Sequence, residues 1–421
     1  MKQWTGNARQ GLAGLLALLL AGNAMALTVE ADFEGASVRQ VEIDTPGHTI
    51  RFMPGGDPAR GWPCWWQFRV NGVEAGKKLT LELQASDLPM PQANGLPSGK
   101  PLAASWAMPE RAAYSVDGKT WQQTRPGIPQ DGRMIYTLET EATSVLVAWG
   151  PPYTPGHAAA MVSRLSQGHA GAVAGELCKS REGRAVPMLH LKEGDLAESR
   201  RFGIWVQARQ HAWESGASWV CEGFTEWLLS DVPEAAWLRQ HGEFFIVPIM
   251  DVDNTATGNG GKEALPQDHN RDWTEKPNWN EVAAAQRHIK RLVSEERMDV
   301  FMDLHNPAAG DLKAFFYAGP DDLLTDRARE NSDLFMKLAT EKISPVMPML
   351  PGPKVTGANY HPLWRQISRN WVQLNGNAHT AALCLETPWN TGRSHVDGYK
   401  AVGAALGKTL HDYLKAQPKR P

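Results

Sequence analysis

Residues 202–214 read FGIWVQARQHAWE, and this stretch decides the fold class. Its first seven residues form a nearly continuous apolar run, which is typical of a strand buried on both faces of a sheet. His211 and Glu214 follow just beyond the end of that strand. Open α/β sheets bind ligands at the carboxyl ends of their strands, so this polar pair marks a candidate site.

Similar patterns recur through residues 156–421 and predict one α/β domain with a mixed sheet and helices on both faces. Short apolar runs predict further buried strands at 244–250, 300–304 and 381–385. Amphipathic periodicity predicts helices at 280–297, 321–342 and 397–415.

Residues 27–155 have a different pattern, which predicts an all-β sandwich domain. Short alternating runs are separated by Gly, Pro and Asp, and Asp117-Gly118 between two of them is typical of a hairpin turn. The boundary is expected near residues 151–155, PPYTP, because proline cannot continue a helix or strand interior.

The first 26 residues predict a secretory signal peptide. Lys2 and Arg9 precede an apolar run at 11–22, and the small-x-small sequence AMA at 24–26 favours cleavage after Ala26. The protein is therefore expected to be exported, to the periplasm or the medium. A buried core helix is the alternative reading of this segment.

The composition excludes several classes of protein. The chain has 421 residues, 42% hydrophobic and 21% charged, with a formal net charge of −3, so disorder, collagen and coiled coil are excluded. It contains no basic block that would indicate nucleic acid, and no later stretch long enough to span a membrane. Four cysteines, Cys64, Cys178, Cys221 and Cys384, leave the disulfide pairing open. The 17 tryptophans, against 11 phenylalanines and 7 tyrosines, are an unusual excess.

Polar side chains also follow the other predicted strands. They are Asp268, Asn270 and Arg271 after the second strand, His305 after the third and Glu386 after the fourth. Two imidazoles and one carboxylate, from His211, Glu214 and His305, are the ligand set of a catalytic zinc with an open fourth position. Glu386 could serve as a general base, and Asn270 with Arg271 could hold a substrate carboxylate.

The His-x-x-Glu spacing is weak by itself, since His190 and Glu193 repeat it inside a predicted strand. Several ordered motifs together are more specific. The chain resembles the zinc carboxypeptidases of the carboxypeptidase A type, in particular the cytosolic carboxypeptidase-like branch with its N-terminal β-sandwich domain. The matching segments are ARQHAWESGASWVCEGFTEWLL, DHNRDW, FMDLHN and ALCLETPW, with WWQFRVNGV, AYSVDGKTW and VLVAWGPPYTP in the first domain.

The resemblance implies a role for each matching residue. His211, Glu214 and His305 would bind one zinc ion per chain, and Glu386 would be the general acid and base. Asn270 and Arg271 would then bind the C-terminal carboxylate of a peptide substrate. Asp268 would orient a zinc-binding histidine.

Two positions depart from the family pattern. The family has an oxyanion-stabilising Arg upstream of the Asn-Arg pair, where this chain offers Lys262. Tyr360 is the candidate for the tyrosine that closes over substrate. It stands where the deglutamylating enzymes carry a basic residue, which counts against acidic-substrate specificity. Arg365 and Arg393 are further candidates for a substrate contact.

The sequence therefore predicts an exported zinc-dependent carboxypeptidase that acts on peptides with a free C-terminal carboxylate. Two alternatives stay open at this point. One is a zinc deacylase or amidase acting on small acylated amino acids or cell-wall stem peptides. The other is a catalytically silent peptide-binding protein on the same fold, which the missing oxyanion Arg allows.

Overall fold

The computed structural model describes residues 26–91 and 99–416. The predicted signal peptide, residues 1–26, lies outside this part of the chain except for Ala26. No helix among the described residues has the length and apolar character needed to cross a membrane.

The N-terminal part contains two five-stranded sheets within the described residues, with orders β1-β4-β10-β6-β7 and β2-β3-β5-β9-β8. Apolar side chains of both sheets join one buried cluster, in which Phe52 packs edge-on against Trp66 and Phe68. The elements are β1 Thr28–Glu30, β2 Arg39–Asp44, β3 Thr49–Met53, β4 Gln67–Asn71, β5 Leu79–Gln84, α1 Ala104–Ala107, β6 Ala113–Ser115, β7 Gln122–Gln123, β8 Ile128–Gln130, β9 Arg133–Leu138 and β10 Ser144–Ala148.

The C-terminal part is built on a mixed sheet of order β11-β12-β14-β13-β15-β18-β16-β17. Its central strands β14, β13, β15 and β18 run parallel, while β11, β12 and β16 pair antiparallel. The strands are β11 Ala172–Lys179, β12 Ala185–Leu191, β13 Phe202–Ala208, β14 Gly242–Val247, β15 Met298–His305, β16 Phe315–Ala318, β17 Lys354–Val355 and β18 Ala381–Glu386.

Helices cover this sheet, and β15 and β18 are buried along their whole lengths, as strands enclosed on both faces must be. The predicted α/β class with a mixed sheet is confirmed. The helices are α2 Pro155–Ser166, α3 Ser215–Leu228, α4 Pro233–His241, α5 Val252–Ala256, α6 Asn280–Ser294, α7 Asp326–Ile343, α8 Ser368–Asn375 and α9 Val396–Lys415.

Some predicted boundaries were wrong for identifiable local reasons. The helix predicted over 321–342 is interrupted, because the Thr325 side chain accepts a hydrogen bond from the Ala328 amide and starts α7 anew. The strand predicted over 244–250 ends at Val247, since Pro248 has no amide hydrogen for the ladder. The predicted division at residue 155 stays a prediction, although β10 ends at Ala148 and α2 begins at Pro155.

Helix α3, which begins directly after Glu214, is fixed by close packing against α9. A β-carbon on Gly223 would lie 2.3 Å from the Lys400 carbonyl oxygen, and one on Gly403 would lie 2.1 Å from that of Val220. Only glycine allows this approach of the two backbones. The helix that directly follows the His-x-x-Glu motif is therefore held closely against α9.

Candidate active site

Three parallel strands end at one edge of the mixed sheet, and their register places the predicted site residues together. His305 and Glu386 are paired directly across β15 and β18, and Ala208 at the end of β13 pairs with Leu304. His211 follows β13 after a two-residue turn in which Arg209 has a positive φ of 62°. The Arg209 side chain is buried and its Nε donates to the Ala212 carbonyl at 2.7 Å, which fixes that turn.

His211, Glu214 and His305 form a compact group of potential metal ligands. Their ligand atoms all lie within 4.8 Å of one another, and the three side chains are buried. Glu214 Oε1 lies 2.7 Å from His211 Nδ1, and Oε2 lies 2.7 Å from His305 Nδ1. Burial by itself would raise the pKa of Glu214, but the two imidazoles lower it below its ordinary value. An ionised carboxylate and two converging imidazole nitrogens fit zinc.

A second carboxylate holds the far nitrogen of each imidazole. His211 Nε2 lies 3.1 Å from Asp268 Oδ1, as the sequence resemblance implies, and His305 Nε2 lies 3.1 Å from Asp303 Oδ2. Such pairs fix the ring orientation and the tautomer of a metal-binding histidine. This arrangement leaves both Nδ1 atoms directed at Glu214 and at the metal position.

Asp303 was missed by the sequence analysis. Its signal is an acidic residue two positions before His305 in an otherwise apolar strand, since residues i and i+2 share one face of a strand. Asp303 is fully buried and accepts hydrogen bonds from Gln210 Nε2 at 2.6 Å and from the Ser368 hydroxyl. The carboxylate behind the third predicted ligand is thus itself fully supported.

Glu386 lies beside the metal position with free hydrogen-bonding capacity. Its Oε2 atom is buried and finds no hydrogen-bond partner among the described residues. Burial raises the pKa of Glu386 to about 7, an effect that His305 opposes and Glu214 reinforces. A carboxyl group with a pKa near neutrality can both accept and return a proton.

Asn270 and Arg271 lie in a short turn next to these groups. The Asp268 side chain starts the turn by accepting from the Asn270 amide at 2.7 Å, and Asn270 Oδ1 accepts from the Ser368 amide at 2.9 Å. Arg271 Nη1 donates to the Asn270 carbonyl at 2.7 Å, whereas its buried Nε has no partner in the described chain. No described carboxylate forms an ion pair with Arg271 either, so its guanidinium can take an anion.

Lys262 and Tyr360 lie near Arg271. The half-buried Lys262 has its Nζ 5.3 Å from the centroid of the Trp62 ring. Burial lowers the pKa of Lys262, but Asp268, Tyr360 and Glu263 together outweigh burial, so the net shift of the pKa is upward and the ammonium stays charged. Tyr360 is 42% exposed; the Arg271 guanidinium lies 5.9 Å from its ring, and its hydroxyl lies 3.4 Å from that of Tyr317.

These residues surround one cleft of about 340 Å³. The predicted site residues that line it are His211, Glu214, Lys262, Asn270, Arg271, Tyr360 and Glu386. Asp268 and His305 contact these lining residues instead. Trp62 and Trp213 also line the cleft, so part of the tryptophan excess belongs to its walls. Cys384 lines it as a free thiol, and the structure leaves all four cysteines unpaired.

Arg369 is a second residue that was not predicted from the sequence, and it lines the cleft. It is 2% exposed and lines the cleft, where its Nε donates to the Ala382 carbonyl and its Nη1 to Asn370 Oδ1. No described residue supplies a carboxylate within ion-pair distance of it. Burial lowers the pKa of Arg369 to about 10, which leaves it charged at neutral pH. The candidates Arg365 and Arg393 are instead exposed and do not line the cleft.

Residues 161–306 match the family model described as zinc carboxypeptidase. The chain contains a zinc carboxypeptidase domain. The matched range includes His211, Glu214 and His305 and ends at Asn306. This part of the chain is therefore similar to metallocarboxypeptidases.

Two relatives show how much of the chain is similar to known proteins. An uncharacterized protein of Zymomonas mobilis is 27% identical over 286 residues, which cover 68% of this chain and 69% of that protein. Cytosolic carboxypeptidase 2 of Danio rerio is 27% identical over 263 residues, or 57% of this chain. The match covers 35% of the fish protein, so the chain spans about a third of that relative.

Solved structures share the fold over nearly the whole chain. A metallo-carboxypeptidase from Burkholderia cenocepacia has a TM-score of 0.77 at 21% identity and covers 93% of this chain and 100% of its own. A metallo-carboxypeptidase from Pseudomonas aeruginosa, solved with (2-guanidinoethylmercapto)succinic acid, has a TM-score of 0.71 at 22% identity, with 92% and 99% covered. The similarity therefore includes the N-terminal sheets as well as the peptidase domain.

The ligand set predicts how zinc binding responds to substitution. We expect the purified chain to bind about one zinc ion and His211→Ala to lose most of it. Asp303→Asn should weaken zinc affinity about 10- to 100-fold, because it removes the carboxylate behind His305. Elemental analysis gives the zinc content, and competition with a chromophoric chelator gives the affinity.

Asp311→Asn is the matched control for the second variant, since Asp311 lines the same cleft but pairs with Lys354 at 3.1 Å. Equal zinc affinity in Asp303→Asn and Asp311→Asn would contradict the role of Asp303. Full zinc content in His211→Ala would contradict the ligand set.

Proposed function

We propose that the chain is an exported metallocarboxypeptidase that removes the C-terminal residue of peptides and prefers an acidic residue at that position. The proposal rests on the positive charge of the side chains that line the cleft. Two buried guanidinium groups, of Arg271 and Arg369, line it with no described carboxylate as ion-pair partner. A buried cation without a counter-ion is costly, and substrate carboxylates would relieve that cost.

Arg271 and Asn270 would bind the terminal carboxylate of the peptide. The unpartnered Nε of Arg271 offers a donor to a carboxylate oxygen, and a guanidinium can hold such a group through two parallel hydrogen bonds. Requiring this carboxylate would restrict cleavage to the last peptide bond. It would also fix the scissile carbonyl beside Glu386.

His211, Glu214 and His305 would hold the zinc ion. When bound, zinc lowers the pKa of a water molecule and polarises the scissile carbonyl. Glu386 would take a proton from the attacking water and deliver it to the leaving amine nitrogen. The free Oε2 atom of Glu386 and the raised pKa of its carboxyl group suit both transfers.

Lys262 and Tyr360 would assist these residues. The ammonium of Lys262 would balance negative charge that develops on the carbonyl oxygen, as a single charge in place of a guanidinium fork. Tyr360, which is partly exposed above Arg271, would close over the bound terminal residue. These two assignments rest on position in the cleft and on charge.

Arg369 supports the acidic preference. Tyr360 stands where the deglutamylating enzymes carry a basic residue, but Arg369 supplies a cation from another segment. The cation comes from α8, the helix whose first residue, Ser368, hydrogen-bonds to Asn270. Arg369 and Arg271 both line the cleft. One could hold the main-chain carboxylate and the other the side-chain carboxylate of a terminal Glu or Asp.

Replacement of Glu386 tests the catalytic mechanism. We expect Glu386→Gln to lower kcat at least about 100-fold while zinc stays bound, because the amide cannot transfer protons. The assay measures release of C-terminal residues from peptides with free ends, and the same peptides with amidated ends should release none. Glu275→Gln, at an exposed position, serves as the charge-matched control. Retention of kcat within tenfold would rule out Glu386 as the base, and cleavage of amidated peptides would favour an amidase.

Replacement of Arg369 tests the acidic preference. We expect Arg369→Met to lower kcat/KM for N-acetyl-Ala-Glu about 10- to 100-fold. A loss of this size corresponds to the binding free energy of one charge-assisted hydrogen bond. The value for N-acetyl-Ala-Leu should change only a few-fold. Arg365→Met, which removes an exposed guanidinium outside the cleft, should change neither value. Equal losses on both substrates would contradict the specificity role, as would a wild-type preference for Leu.

Export is proposed from the N-terminal segment alone, whose basic start, apolar run and AMA sequence support a cleaved signal. Expression of the full chain in a Gram-negative host should place it outside the cytoplasm with Leu27 as its first residue. Fractionation and N-terminal sequencing measure both. A cytoplasmic protein that retains Met1 would contradict the proposal.

A further inference from the structure

One wall of the cleft comes from the N-terminal part of the chain and plays no role in the mechanism above. Trp62 and Trp106 both line the cleft, and their rings are stacked with centroids 5.2 Å apart and an interplanar angle of 30°. Trp62 is buried, whereas Trp106 is 47% exposed. A large aromatic side chain that is half exposed beside a catalytic centre is a candidate ligand contact.

The stack continues inward to the metal-binding motif. Trp62 stacks on Trp213 at 6.1 Å and 29°, and Trp213 stacks on Trp389 at 5.4 Å and 29°. Trp213 lies between His211 and Glu214 in sequence, so the series is anchored beside the zinc ligands. With Trp106 and Trp213 stacked against it, Trp62 is covered. Trp106 therefore presents the outer ring of a rigid series of four.

The position of this wall follows from the contacts of its neighbours. Arg271 lies in the part of the cleft that Tyr360 covers, because its guanidinium lies 5.9 Å from the centroid of the Tyr360 ring. Trp62 lies in the part next to the predicted zinc ligands, since its ring stacks on Trp213 between His211 and Glu214. A peptide whose terminal carboxylate is bound by Arg271 and whose scissile bond lies at the metal position would therefore meet these tryptophans next.

We propose that Trp106, supported by Trp62, forms the subsite for the side chain of the penultimate substrate residue and selects an aromatic side chain there. The inference rests on the proposed carboxypeptidase function and deepens it. A flat, rigid indole offers stacking area at little entropic cost, and a small aliphatic side chain would cover less of it. Stacking of this kind corresponds to about a tenfold preference.

The test compares release of Glu from N-acetyl-Phe-Glu and N-acetyl-Ala-Glu. For wild type we expect kcat/KM to be about tenfold higher with Phe. Trp106→Ala should abolish this preference by lowering the value for the Phe substrate alone, and Trp106→Phe should retain most of it. Trp237→Ala is the control, because that ring packs on Phe202 and His241 outside the cleft. Trp106→Leu gives a second ring-free variant should the alanine protein fail to fold.

A binding experiment separates failure of the subsite from failure of the proposed function. The Glu386→Gln protein, with and without Trp106→Leu, is titrated with the same two peptides by calorimetry. Tighter binding of the Phe peptide that disappears with Trp106→Leu would support the subsite. If wild type then released no Glu from either peptide, that second result would overturn only the proposed carboxypeptidase function. Equal binding of both peptides, or a Phe preference unchanged by Trp106→Leu, would overturn the subsite while leaving the carboxypeptidase function intact.

Discussion

The buried carboxylate of Glu214, which bridges His211 and His305, is the interaction on which the site depends. A buried negative charge must be compensated, and here two imidazoles do so at 2.7 Å each. Burial lowers the pKa of both imidazoles. The nearby carboxylates, Glu214 and Asp268 at His211 and Glu214 and Asp303 at His305, together outweigh burial, so both pKa values are raised. A bound metal ion would replace the imidazole protons as the charge that compensates Glu214. Folding, charge balance and metal affinity are therefore coupled at this carboxylate.

The charges of the cleft are segregated around this centre. Carboxylates hold the imidazoles from behind, while the cations Lys262, Arg271 and Arg369 line the open space. Because the low dielectric of a closed cleft strengthens electrostatic interactions, unpaired guanidinium groups there favour an anionic ligand far more than surface arginines would. The N-terminal part of the chain completes the cleft through Trp62 and Trp106, and Trp62 belongs to one buried cluster with Trp213 and Trp389.

Particular residues show how far sequence reasoning extends. His305 and Glu386 were predictable as neighbours, because parallel strands end at one edge and each residue closes an apolar run. Asp303 could have been predicted from the alternation of side chains along the strand, because it lies two residues before His305 and therefore on the same face. Arg369 could not have been found in this way, because its position on α8 has no periodic signal, and contacts with Ala382 and Asn370 hold its side chain at the cleft. Lys262 and Tyr360 were placed near the site by resemblance, and their contacts came from the structure.

The sequence by itself determined the α/β class, the β-rich first part and the set of polar residues at the strand ends, because burial periodicity and strand order are local properties of the chain. Only the tertiary structure decided which cations enter the cleft, which carboxylate supports each imidazole and which tryptophans form its wall. These features depend on the packing of segments far apart in sequence, such as Trp62 against Lys262 and α8 against the Asn270 turn. Such contacts have no period or fixed spacing that a sequence could display.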